Sequence, residues 1–330
     1  MERFPMKFDW TGLYNPVFGW RCSTRDPAAV WHEGKFYLYF TVQFEQQRWG
    51  APEGYQCFVT VTEDFREFTS PRPVTPTGYV SPGNIFRFRD RWVMSVTRYP
   101  RPCAVALTES DDLLHWSEPR TVIPTFHGDY WGNNAHGPID GYPFFWQGRC
   151  WMLYTDFQKG TSSQHLGLSV SDDLRSFENL TPDRPLLDSD FYDDRKGIEN
   201  ASLVIDGGKL HLFCSVGMPE QRVAKLTSSD IMHWPKLDAK AEIGGLNQSW
   251  SQFIASAQFV ADWRDVTGFW TMLFMGTRHH DPCDRMMLGM ARSRDLETWE
   301  VLPEGVPDEV YRQRCLAYRE KYQEHGHDLP

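Results

Sequence analysis

The sequence has no apolar stretch approaching the ~18 residues that a membrane-spanning helix needs. It also lacks any block of Lys or Arg. Its 34 basic residues are outnumbered by 44 acidic ones, a formal net charge of −10. Nucleic acid and acidic membranes are recognised through a basic footprint, so neither is expected as a partner. The first residues, MERFPMKFDWTG, contain no apolar core of the ~7–15 residues typical of a secretory leader, and a cytoplasmic location is expected. Cys22, Cys57, Cys103, Cys150, Cys214, Cys283 and Cys315 stand singly, with no C-x-x-C pair. That spacing argues against a disulfide framework or a structural zinc site and for reduced, mostly buried thiols. The signatures G-x-x-x-x-G-K-[ST], G-x-G-x-x-G and G-x-S-x-G are missing as well, which leaves nucleotide binding and serine hydrolysis without a motif.

Aromatic residues, in contrast, are abundant: 14 Trp, 13 Tyr and 22 Phe, 15% of the 330 residues. They favour strands, and their faces suit sugar rings. They also mark a repeat. Asp followed four residues later by Trp or Phe occurs at Asp64/Phe68, Asp112/Trp116, Asp173/Phe177, Asp230/Trp234 and Asp295/Trp299. Ahead of each copy lie a β run, a turn and an aromatic-rich β run, such as AAVWHEGKFYLYFT, YPFFWQGRCWMLYT and SLVIDGGKLHLFCS. H-E-G-K, W-Q-G-R and D-G-G-K read as hairpin turns. A four-stranded antiparallel unit repeated five times predicts an all-β chain folded as a five-bladed β-propeller over residues 1–304. The stretch PDEVYRQRCLAYREKYQEHG then predicts a short helical appendage within 305–330. The repeated Asp residues are expected to cap turns and the repeated aromatics to pack, since one architectural role explains five copies.

Positions that differ between blades carry the functional information. Gly34, Gly148 and Gly207 lie eight residues after Asp26, Asp140 and Glu199, which aligns three carboxylates at the start of the innermost strand of blades 1, 3 and 4. Blade 2 has Pro82 in that alignment, and blade 5 has no acid between Phe253 and Val260. Innermost strands surround the propeller axis and start at one mouth, so the three acids are expected around one pocket. Clustered acids repel and raise at least one pKa, a cost that function explains better than stability does. Two carboxyls flanking a glycosidic bond are what acetal hydrolysis requires: one protonates the leaving oxygen, the other activates water or attacks carbon.

The segments TRDPAAVW…GKFYLYFT, IDGYPFFWQGRCWMLYT and IENASLVIDGGKLHLF, in that order, resemble family 43 glycoside hydrolases over roughly residues 20–302. The resemblance implies a general base at Asp26, a residue at Asp140 that orients the acid and tunes its pKa, and a general acid at Glu199. Without a leader, the enzyme is expected to act on short oligosaccharides or glycosides and release terminal sugars, and acids on blades 1 and 4, separated by blade 5, leave room for the water of an inverting mechanism; no cofactor is expected to be required. Asn200 and Ala201 follow Glu199 where that family usually has Gly-Pro, and Arg25-Asp26-Pro27 suits families 117, 32 and 130 equally. A glycoside phosphorylase and a non-catalytic sugar-binding propeller therefore remain open, as does the sugar.

In G-T-R-H-H-D-P the resemblance makes Arg278 a candidate for substrate binding and His279 a candidate neighbour of a calcium or sodium ion in the axial channel. The connection F-H-G-D-Y-W-G-N-N-A-H-G-P-I-D runs into Asp140 and offers Trp131, Asn134 and His136 near the pocket, with Trp131 either stacking on a sugar or packing beneath the loop. Trp49 has a weaker placement of the same kind. Asp193 and Asp194 read as loop carboxylates.

Overall fold

The computed structural model describes residues 8–20, 23–43, 54–99, 101–124, 130–131, 136–161, 163–191, 197–278 and 286–305. They form a ring of five antiparallel sheets. Blade 1 contains β1 (Ser23–His32), β2 (Lys35–Gln43), β3 (Tyr55–Thr62) and β4 (Arg72–Pro73). Blade 2 contains β5 (Tyr79–Val80), β6 (Ile85–Phe88), β7 (Arg91–Arg98), β8 (Ala104–Ser110) and β9 (Arg120–Ile123), with β5 and β6 sharing the innermost position beside β7. Blade 3 contains β10 (Ile139–Trp146), β11 (Arg149–Phe157), β12 (Gln164–Ser171) and β13 (Glu178–Asn179). Blade 4 contains β14 (Ile198–Asp206), β15 (Lys209–Val216) and β16 (Arg222–Ser228), and a lone bridge between Ala224 and Glu242 stands where a fourth strand would be. Blade 5 contains β17 (Ile254–Trp263), β18 (Phe269–Thr277), β19 (Met287–Ser293) and β20 (Trp299–Val301). The propeller expected from the repeat is present. The one α-helix among the described residues is the four-residue Arg264–Thr267 in the blade 5 hairpin. The expected appendage lies outside the described residues beyond Gly305.

Blades stack face to face, so their middle strands have no solvent side: every residue of β12 and of β18 is buried. The hairpins joining the first two strands of blades 1, 3 and 4 turn on Glu33-Gly34, Gln147-Gly148 and Gly207-Gly208, each a pair with positive φ. Two consecutive left-handed residues match the right-handed strand twist. The repeated Asp residues cap turns as expected. In blade 2 Asp112 Oδ1 accepts the amides of Leu114 and His115, and Asp173 in blade 3 and Asp295 in blade 5 accept the equivalent pairs of amides. The following indoles, Trp116, Trp234 and Trp299, each donate to a carbonyl three residues back. Cys57, Cys103, Cys150 and Cys214 are free thiols and buried.

Every innermost strand is broken by an irregularity near its start. In blades 1, 3, 4 and 5 the register with the second strand slips by one residue, between Arg25 and Ala28, Ile139 and Tyr142, Glu199 and Ser202, and Ser256 and Phe259. The extra residue is left-handed: Asp26 (φ 48°), Asp140 (52°), Asn200 (51°) and Ala257 (45°), with Ser81 (49°) in the same role in blade 2. A bulge leaves an amide without a ladder partner. In three cases a hydroxyl on the second strand of the preceding blade accepts it: Ser81 N to Thr41 Oγ1 at 2.8 Å, Asp140 N to Thr97 Oγ1 at 2.9 Å, and Ala257 N to Ser215 Oγ at 2.9 Å. The same irregularity thus links neighbouring blades.

The ring is closed from the N-terminal side. Phe18 exchanges backbone hydrogen bonds with Leu288 in blade 5, and the buried Asn15 side chain pairs with both backbone groups of Met290, donating at 3.1 Å and accepting at 2.8 Å. Between blades 2 and 3 the backbones come into contact near the axis. A Cβ on Gly83 would lie 2.0 Å from the Gly141 carbonyl oxygen and 2.5 Å from Ser95 Oγ, neither of which has room to yield. Gly83→Ala should therefore destabilise the protein by about 2–3 kcal/mol, read as a lower urea midpoint at unchanged m-value.

Candidate active site

The starts of the first and third strands of the blades surround a cavity of about 420 Å³ at one end of the axis. Arg25, Val80, Ile139 and Glu199 hold the register position just before the irregularity, and Asp26, Ser81, Asp140 and Asn200 hold the left-handed position itself. The second set also borders a narrower space of about 30 Å³ deeper along the axis, so it forms the floor of the cavity. The three predicted carboxylates do meet here. Their expected equivalence is corrected by one residue. The blade 4 turn is Gly207-Gly208, so its second glycine, Gly208, matches Gly34 and Gly148, and Asn200 is the counterpart of Asp26 and Asp140. Glu199 instead shares the position of Arg25. The pair of consecutive glycines made the count ambiguous.

Asp26 and Asp140 approach each other across Ser81, whose hydroxyl donates to Asp26 Oδ2 at 3.3 Å. Burial holds the Asp140 carboxyl well above its ordinary value, and the charges of Glu199 and Asp26 push it further. Burial also raises Glu199. Two amide donors oppose that rise: Gln164 Nε2 donates to Glu199 Oε2 at 2.6 Å, and Gln221 Nε2 donates to Glu199 Oε1. Arg25 supplies positive charge to the cluster. Burial works against its charge, but Asp26, Tyr99, Tyr55 and Glu199 together hold its pKa above the ordinary value. His136 reaches the cavity, stacked on Phe157 with ring centroids 4.1 Å apart. Burial, and then Arg101, lowers its pKa and favours the neutral imidazole.

Two candidates for sugar contact sit elsewhere. Trp131 is 1% exposed, packs against Tyr130, Tyr154 and His165, and donates its indole N–H to Thr181 O at 2.5 Å. Its ring faces are occupied by protein, so it serves the packing alternative. Arg278 is exposed, lies outside the cavity lining, and donates Nε to Ser249 O at 3.1 Å. His279, Trp49, Asn134, Asp193 and Asp194 fall outside the described residues. Among the described residues no group of three or more His, Cys, Asp or Glu side chains is arranged to hold a metal ion.

The sequence reading missed Gln164, Gln221, Tyr55 and Tyr99. A signal for three of them existed. Tyr55, Cys103, Gln164, Gln221 and Met286, at or just before the start of the third strand of each blade, all line the cavity. Aligning third strands as well as first strands would have exposed this second ring.

No family model matches the sequence, and no curated relative does. Solved structures do resemble the fold. A thermostable family-43 glycoside hydrolase superposes with a TM-score of 0.63 at 14% identity, covering 89% of this chain and 98% of its own. The catalytic domain of the Coprinopsis cinerea family 62 α-L-arabinofuranosidase gives 0.64 at 17%, covering 88% and 98%. An exo-1,5-α-L-arabinanase from a bovine ruminal metagenomic library gives 0.62 at 14%, covering 87% and 98%. This chain shares their fold. At such identities the likeness extends to the five-bladed architecture and not to the chemistry, which rests on the cavity.

Asp140 makes the cavity testable through stability alone. An unfolded Asp ionises near its ordinary value of 3.8, whereas folded Asp140 keeps its proton to higher pH. The folded state then binds more protons, and the stability present below that ordinary value is lost as pH rises through the folded pKa. Asp140→Asn removes this loss. Its melting temperature should exceed that of the wild type by a few degrees at pH 8, the scale on which ~1 kcal/mol acts, and the gap should close towards pH 4.

Proposed function

We propose that this protein is an inverting, exo-acting glycoside hydrolase. The observation that supports this reading is the convergence of Asp26, Asp140 and Glu199, from three different blades, on one cavity. Glu199 is the general acid. Its burial favours the protonated form that must be delivered to the departing glycosidic oxygen. Asp26 is the general base and takes a proton from water on the opposite face of the sugar. Asp140 touches neither oxygen. It orients the site through Ser81, while the charge of Asp26 opposes ionisation of Glu199.

Inversion is favoured by placement. Asp26 and Glu199 come from blades 1 and 4, with blade 5 between them in the ring, and from different register positions. That separation suits the ~6.5–9.5 Å gap that admits a water, against ~5–5.5 Å for a nucleophile. Exo action is favoured by size, because about 420 Å³ lies at the low end of the ~300–1,000 Å³ usual for small-ligand pockets. Such a cavity fits a terminal sugar and its neighbour better than the interior of a polymer. Two of the similar structures carry arabinofuranosidase and arabinanase names, which makes pentofuranosides the first substrates to try.

The test is a screen of aryl and oligosaccharide glycosides, with and without phosphate, followed by NMR of the first-formed anomer. The expected outcome is phosphate-independent release of a terminal sugar with inverted configuration. Asp26→Ala and Glu199→Ala should each lower kcat/KM on a natural glycoside by about 10²–10⁴-fold with the fold intact by circular dichroism. Strict phosphate dependence would instead make the protein a phosphorylase. Sugar binding without turnover would make it a lectin-like propeller, and retained configuration would recast Asp26 as a nucleophile.

A further inference from the structure

The environment of Glu199 is more elaborate than a buried acid requires. Both carboxyl oxygens are occupied, and by donors of one kind. Gln164, at the start of β12, reaches Oε2, and Gln221, just before β16, reaches Oε1. The two glutamines are 7% and 3% exposed, so neither is free to reorient into water. Gln221 is itself held on both sides. Its carbonyl oxygen accepts the hydroxyl of Ser256 at 2.6 Å, and its amide nitrogen also contacts Met218 Sδ at 2.7 Å. A thioether sulfur has no proton to give, so the amide nitrogen belongs on the side of Met218 and Glu199 and the oxygen on the side of Ser256. Ser256 is fully buried in blade 5 and holds the same register position there that Glu199 holds in blade 4. The hydroxyl of one blade therefore sets the amide that sets the acid of its neighbour.

We propose that Gln164, Gln221 and Ser256 are positioning residues: the two glutamines, donating to opposite oxygens, clamp the Glu199 carboxyl in one plane and favour release of its proton, and Ser256, donating to the Gln221 carbonyl, fixes the orientation of that amide. This rests on Glu199 being the proton donor of the proposed hydrolase. The other charged and titratable groups around it are Arg25 and Asp26 from β1 and Asp140 from β10, with Tyr55, Tyr99, Arg101, Cys103 and His136 in the same cavity wall. None of these reaches a Glu199 oxygen with a hydrogen bond among the described residues, so the clamp is the contact that distinguishes Glu199 from Asp140. Donors to a carboxylate favour its charged form. An acid that gives its proton to an oxygen must also lose it readily, and a clamp that welcomes the resulting charge serves that step.

The first measurement does not need turnover. Protein labelled with ¹³Cδ-glutamate is titrated by NMR, the Glu199 resonance being identified by its loss in Glu199→Gln. In Gln221→Leu the Glu199 midpoint should rise by about one pH unit. Ser256→Ala should raise it in the same direction, and Ser256→Thr, which keeps a hydroxyl, should restore it. An unchanged or lowered midpoint in Gln221→Leu overturns the proposal, whether or not a substrate is ever found. If Gln221→Leu does not fold, Gln164→Leu removes the other donor and carries the same expectation and the same refutation. Once a substrate is in hand, the alkaline limb of kcat/KM should move up by a similar amount. Gln221→Leu should lower kcat by about 10–100-fold on a glycoside with a poor leaving group and by less than about threefold on a nitrophenyl glycoside, with KM nearly constant. Equal losses on both substrates would signify a merely structural residue and reject the clamp.

Discussion

The fold and the cavity depend on one backbone constraint, the left-handed residue near the start of each innermost strand. An L-residue with φ near 50° is uncommon, and five at equivalent places in one ring are not accidental strain. The irregularity bends each strand at the axis and frees an amide, and in three blades the freed amide is taken by a hydroxyl of the preceding blade. Asp and Asn tolerate this conformation better than most residues, and three of the five positions carry them. Shape and chemistry therefore share a cause. The conformation that lets five sheets meet around an axis also directs Asp26 and Asp140 into the space they enclose.

That space is electrostatically costly. Asp26, Asp140 and Glu199 are gathered where water is scarce, and the protein offsets their repulsion in three ways: the Arg25 guanidinium, the Ser81 hydroxyl between the two aspartates, and the amides of Gln164 and Gln221 at Glu199. The offsets are uneven. Among the described residues Glu199 receives two N–H donors, whereas the Asp140 side chain is helped by the Ser81 hydroxyl. Two neighbouring carboxyls in one cavity are thereby made chemically different by the donors that each one meets.

Much of this was legible in the amino-acid sequence. A four-strand unit with capping Asp and packing Trp is a local pattern, and local patterns survive in one dimension; the five sheets and the turn-capping role of Asp112, Asp173 and Asp295 followed from it. The carboxylates were found by counting from hairpins, and the count failed by one at Gly207-Gly208 because either glycine can occupy the second turn position. Trp131 stayed open between two roles for another reason. A Trp beside a predicted pocket looks the same in sequence whether its faces are bare or covered, and here Tyr130, Tyr154 and His165 cover them. Gln164 and Gln221 were passed over because an uncharged amide acquires a role only from what stands next to it, and Glu199 is 35 and 22 residues away in the chain.

The seam between Asn15 and Met290 bears on how such a protein comes into being. The two residues are 275 positions apart, and the backbone pairing of Phe18 with Leu288 spans a similar distance. Bringing distant chain segments together has an entropic cost that local hairpins do not bear, so long-range pairing follows local structure in time. The individual blades can form as the ribosome releases them. The wall where blade 5 meets blade 1 has to wait for nearly the whole described chain, and with it the enclosure of Asp26 opposite Glu199. On this account the nascent chain carries its acids separately and harmlessly, and the cavity comes into existence in the same event that locks the ring.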